Sequence, residues 1–113
     1  MARYLISFDD GAMDHIPDED WPEVGRAWRE VVQQAKDAGV WIFGGGIQRQ
    51  RATVVDVDGS ASQGPAPQDK AAVGGFSVIA VPSHADAVEW AARTARSCRC
   101  AQEVREIMYD PGS

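Results

Sequence analysis

No apolar run in this chain approaches the roughly 20 residues that a membrane helix needs. The run Tyr4-Leu5-Ile6 near the start is too short for a secretory signal, and no small-residue cleavage pattern follows it. A cytoplasmic location is the expectation. Cysteine is scarce: Cys98 and Cys100 are the only two. Lying two residues apart on one segment, they are poorly placed to staple a domain, and reduced structural thiols are expected. With no companion His or Cys pair, they make no recognisable metal site. Basic charge is also short, with 11 Lys and Arg against 17 Asp and Glu and a net charge of −6. An acidic surface repels phosphate backbones, so nucleic acid is not expected as a partner. No basic amphipathic helix offers itself to a membrane surface. The Gly44-Gly45-Gly46 run is followed by no Lys-Ser or Lys-Thr and opens no helix, which excludes a phosphate-binding loop. No metal and no cofactor are expected.

What remains is one domain spanning residues 1–113, with a 44% hydrophobic share that suits a globular fold. A chain of this size buries a modest fraction of its surface, so pairing with a second copy would help it. Four tryptophans should cover a core or an interface.

Tyr4, Ile6 and Phe8 alternate with Leu5 and Ser7, the pattern of a strand with apolar residues on both faces. An acidic loop over residues 9–20 follows, with His15 among its carboxylates in no defensible metal-loop spacing. Asp20-Trp21-Pro22-Glu23 then reads as a helix start, with Asp20 as cap and Glu23 as its capping-box partner. Trp21, Val24, Trp28, Val31, Val32 and Ala35 recur at helical spacing as a core stripe, and Gly39 reads as a left-handed C-cap. Val40 to Phe43 reads as a buried strand, and the three glycines after it as a bulge or a close backbone approach. Residues 52–57 form another β-rich run ending in the turn dipeptide Asp58-Gly59, and residues 60–70 have loop composition.

Gly74–Gly75 leads into a central strand, with Phe76, Val78 and Ala80 on one face and Ser77, Ile79 and Val81 on the other. Ser83 caps a second helix from Ala85 to about Ala95. Residues 94–101 read as a connector, and Glu103 to Tyr109 as the last strand. The order is β-α-β-β-β-α-β. With the third strand as an accessory, it is an α+β, ferredoxin-like βαββαβ unit with two helices on one sheet face. The other face also carries apolar residues. Pairing two sheets face to face would cover them and enclose a cavity.

Several stretches carry a resemblance along nearly the whole chain: Arg3-Tyr4-Leu5-Ile6, Ala38-Gly39-Val40, Arg51-Ala52-Thr53-Val54-Val55 with Asp58-Gly59, Gly64-Pro65, Lys70, Gly74-Gly75-Phe76, Ala87 to Ala92, and Glu103-Val104-Arg105. In this ordered set the chain resembles the YCII-related proteins, in particular the branch named for a DGPF motif. The resemblance implies a dimeric α+β barrel of ferredoxin-like protomers and a cleft of small-molecule size. It also implies a regulatory link to extracytoplasmic-function sigma factors as one alternative. The chain departs from the pattern at Gln63 and Ala66, where the motif has Asp and Phe, and at Gln68 and Ala71, where relatives have Glu. Residues 21–38 contain no counterpart of the His used by the family's enzyme-type branch.

The loop from Gly64 to Lys70 is the expected site, with Pro65, Gln68, Asp69 and Lys70 as ligand-binding candidates. In a desolvated cleft the Lys70 ammonium would hold a carboxylate or enolate, or lose its proton and act as a base. Paired with Asp69 at the surface, it would do neither. Arg105 and Arg51 read as further cleft residues, with Glu103 or Glu106 as alternative partners for Arg105. His84 and Asp86, in the first turn of the second helix, read as capping residues. No catalytic residue can be assigned. The expected function is a homodimer binding a small molecule, an anion among the candidates, without catalysis. The alternative is a small lyase or isomerase working by proton transfer.

Overall fold

The computed structural model describes residues 1–48, 52–63 and 72–112. Its strands are β1 (Ala2–Asp9), β2 (Trp41–Gly46), β3 (Thr53–Val55), β4 (Ala61–Gln63), β5 (Val73–Val81) and β6 (Glu103–Glu106). Its helices are α1 (Trp21–Asp37) and α2 (His84–Cys98), with one 3-10 turn at Asp18–Asp20 ahead of α1. Four strands form one antiparallel sheet in the order β2-β5-β1-β6, and β3 and β4 form a separate hairpin. This mixed α+β arrangement is compatible with a ferredoxin-like βαββαβ unit.

The alternation read from β5 holds. Ser77, Ile79 and Val81 are buried while Phe76, Val78 and Ala80 are half-buried. Opposite them on β1, Tyr4 pairs with Ile79 and Ala2 with Val81, so Tyr4, Ile6, Ile79 and Val81 meet Ala87 and Ala91 of α2 in one core. Small alanines at the contact let α2 lie close to the sheet. The Tyr4 hydroxyl donates to Glu106 at 3.2 Å, and its ring meets the His84 ring edge-on at 5.9 Å.

The glycine runs mark close backbone approaches. A Cβ on Gly44 would lie 2.6 Å from the Phe76 carbonyl oxygen, and one on Gly74 would lie 2.7 Å from that of Asp9. The register slips beside both, between Trp41 and Phe43 on β2 and between Phe8 and Asp9 on β1. Gly39 takes a φ of 75°, the left-handed turn expected at the end of α1.

The capping pattern needs one correction. Ser83 caps α2 as expected, accepting from the Asp86 amide at 3.2 Å. Asp20 does not cap α1 through its side chain, because the 3-10 turn before the helix places Asp20 itself in the helical region. Its carboxylate instead accepts from Arg99 at 2.7 Å, and Glu23 binds Arg26 instead of closing a capping box.

Several element bounds also differ, among them β2, which continues through the glycines to Gly46. Helix α2 runs to Cys98 through the expected connector, because Arg99 takes the left-handed position at φ 56° without a glycine to announce it. Ala61–Gln63, read as loop, pairs with Thr53–Val55, so the accessory strand is half of a hairpin closed by Asp56-to-Ser60 hydrogen bonding. The last strand ends at Glu106, and Met108 and Tyr109 stand exposed beyond it.

Candidate functional site

Helix α1 sits differently from α2. Of its apolar stripe only Val24 and Ala35 are buried, whereas Trp21 is 41% exposed. Indoles at Trp21 and Trp28 cannot approach a sheet as alanines do. Between this helix and the sheet lies a cavity of about 220 Å³. Ile6, Phe8 and Ser77 of the sheet line one side, and Trp21, Val24, Gly25 and Trp28 of α1 the other. Thr94 and Cys98 of α2 and Gln102 line the side toward α2, and Met13, Gly45, Gly46 and Phe76 complete the lining.

Glycine shapes this space as well. Gly75 lies so close under the Phe8 ring that a Cβ there would come within 2.5 Å of it. At Gly45 and Gly46, by contrast, a Cβ would meet no atom within 4 Å. Trp28 is held by an edge-on contact with Trp41 at 6.0 Å.

No Asp, Glu, His, Lys or Arg lines the cavity among the described residues. Its polar groups are few. The Thr94 hydroxyl donates to the Trp90 carbonyl at 3.0 Å, and the Gln102 amide donates to the Cys100 carbonyl at 3.4 Å. Burial pushes the Cys98 thiol above its ordinary value, against a weaker lowering by the Ser97 hydroxyl. Cys98 is therefore a neutral, buried thiol at pH 7 and no nucleophile. Cys100 is shifted the same way, by burial first and then by Cys98. Among the described residues, no group of three His, Cys, Asp or Glu is placed to share a metal ion.

The other face of the sheet carries no helix among the described residues. Leu5, Phe76, Val78 and Ala80 are half-buried there, and Phe43 is 63% exposed with its ring edge-on to Phe76 at 5.6 Å. The hairpin β3–β4 packs on no other strand or helix among the described residues. Val54, Val55 and Val57 are exposed on it.

The residues expected to form the site fall mostly elsewhere. Pro65, Gln68, Asp69, Lys70 and Arg51 lie outside the described residues. Arg105, on β6, is exposed and donates to Glu103 at 2.6 Å; it is not among the residues lining the cavity. The helical periodicity of Trp21 and Trp28 predicts core, whereas they form a wall of the cavity. Their size was the available signal: two indoles one helical face apart demand more room than the valines and alanines around them.

No family model matches the chain, and no curated protein matches it in sequence. Among solved structures, the chain is similar to 5-chloro-2-hydroxyhydroquinone dehydrochlorinase from Burkholderia phenoliruptrix AC1100, in complex with 2,5-dihydroxybenzoquinone. The superposition has a TM-score of 0.55 at 13% identity and covers 99% of this chain and 98% of that one. At that identity the likeness shows a shared α+β fold over the full length.

Proposed function

We propose that this protein is a small-molecule-binding, non-catalytic member of the YCII-related family that works as a homodimer in the cytoplasm. The apolar cavity between α1 and the sheet carries this reading. A space that size, walled by aromatic side chains with few polar groups, has the make-up of a ligand site. The fold it shares with an enzyme captured with a small quinone supports the same reading. The lack of a charged or imidazole side chain around the cavity, among the described residues, favours binding over proton transfer. A lyase reading needs a base, and Lys70 would have to supply it.

The homodimer rests on the open sheet face and the hairpin. Leu5, Phe76 and Val78 are half-buried there beside the exposed Phe43, an apolar group of the kind a second protein surface covers. A two-stranded hairpin alone in water is marginal, so β3–β4 calls for a surface to pack on. A second copy, paired face to face about a two-fold axis, supplies both covers.

Two measurements test the proposal. A fragment set is screened by tryptophan fluorescence, since Trp21 and Trp28 line the cavity, with Gly46→Leu as the blocked control. Binding that the control loses is expected; a screen without any binder overturns the reading. Solution mass by light scattering should give a dimer, and Phe43→Asp should shift it toward monomer. A monomeric wild-type protein removes the dimer.

A further inference from the structure

We infer that the cavity between α1 and the sheet takes an uncharged ligand built on a single aromatic ring, bearing one hydrogen-bonding group. The inference rests on the reading of that cavity as a binding site and goes on to fix the chemistry of its occupant.

Size sets the first limit. An apolar cavity of about 150 Å³ is enough to admit benzene. At about 220 Å³ this one admits a ring with one or two small substituents, and not a nucleotide or a fatty acid. The walls set the second. Phe8, Trp21 and Trp28 supply three aromatic side chains around the same space. Offset and edge-on contacts with such rings favour an aromatic guest over an aliphatic one of equal area.

Charge sets the third limit. The described lining offers no cation to a carboxylate and no anion to an ammonium. An ionised group would lose its hydration with nothing to replace it, which costs several kcal/mol. One neutral polar substituent can be met. Ser77, the neutral Cys98 thiol and the Gln102 amide stand around the same space.

The test compares phenol with benzoate, which carries a charge, and with cyclohexanol, which lacks the aromatic ring. Binding is followed by tryptophan fluorescence and by the shift of the thermal unfolding midpoint. Phenol should bind and raise the midpoint. Benzoate should bind about 100-fold more weakly, the ratio expected when an ionised group is left unpaired in an apolar site. Cyclohexanol should fall several-fold below phenol. Gly46→Leu, where a Cβ meets no atom within 4 Å, should abolish the phenol-induced midpoint shift without unfolding the protein. Benzoate binding as tightly as phenol overturns the inference about charge while leaving the cavity a binding site. Cyclohexanol equal to phenol overturns the preference for a ring. If none of the three binds and Gly46→Leu changes nothing, the binding reading of the cavity fails with it.

Discussion

The two helices cover the same sheet on unlike terms. Helix α2 buries Ala87, Ala91, Thr94, Ser97 and Cys98, and Ala87 is wholly inaccessible. Helix α1 is two residues longer yet buries only Val24 and Ala35. The difference follows from side-chain volume at the contact. Alanines bring α2 down onto Tyr4, Ile6, Ile79 and Val81 until no space is left. Tryptophans prop α1 away from the sheet, and the room beneath them is the cavity. One half of the layer is therefore closely packed, and the other encloses open space. Close packing leaves a protein interior little tolerance for added volume, so the two halves should respond oppositely to mutation.

The largest contrast should come from adding bulk. Ala87→Leu forces a larger side chain into a site with no free volume and should cost about 3 kcal/mol. Gly46→Leu on the α1 side should change stability by no more than about 0.5 kcal/mol, because its side chain enters open space. Thermal melts of the two variants measure both. Equal losses would mean that the α1 side is as full as the α2 side.

Removing bulk sharpens the contrast. Val81 and Val24 are both nearly inaccessible, at 1% and 3%. Val81→Ala opens a hole in a closed core and should cost about 2–3 kcal/mol by denaturant unfolding. Val24→Ala only widens an existing space and should cost about half that. The reverse order would place the tight packing under α1.

The helix starts differ more modestly. Ser83→Ala removes a capping oxygen from α2 and should cost about 1 kcal/mol. Asp20→Ala removes no cap and breaks only a partly exposed pair with Arg99, so about 0.5 kcal/mol or less is expected. A larger loss at Asp20 would show that the Arg99 pair matters more than its exposure implies.

The smallest effect is a dependence on pH. The Cys98 thiol is raised in the folded protein, so its contribution is complete below the unfolded thiol's pKa and is lost as pH rises through the folded value. Wild type should lose stability faster than Cys98→Ala above pH 9.0, the ordinary thiol value. Parallel curves would mean that the thiol is as free to ionise in the fold as outside it.

Much of the fold was legible because its signals are local. The parity of β5, the Ser83 cap and the turn at Gly39 depend on residues a few positions apart. The misread features depend on distant partners. Asp20, turned into the helical region, finds its partner in Arg99, 79 positions later. Ala61–Gln63 becomes a strand only because Thr53–Val55 lies beside it. The cavity was illegible for a related reason: periodicity tells which residues share a helical face and not how far that face stands from a sheet. The loop centred on Lys70 drew attention through its composition, whereas the described cavity is lined by residues whose pattern reads as core.

The order β2-β5-β1-β6 also governs how the chain must be made. Among the described residues, neither β1 nor β2 pairs with a strand before residue 73; both wait for β5, and β1 waits again for β6. As the chain leaves a ribosome, more than half of it is synthesised before the main sheet can gain its first rung. Until then Tyr4, Ile6 and Trp41 have no strand to join, and the nascent protein depends on its helices and on whatever shields those side chains. Once β5 emerges, it finds β1 and β2 both waiting, and a three-stranded sheet can close around a single newcomer.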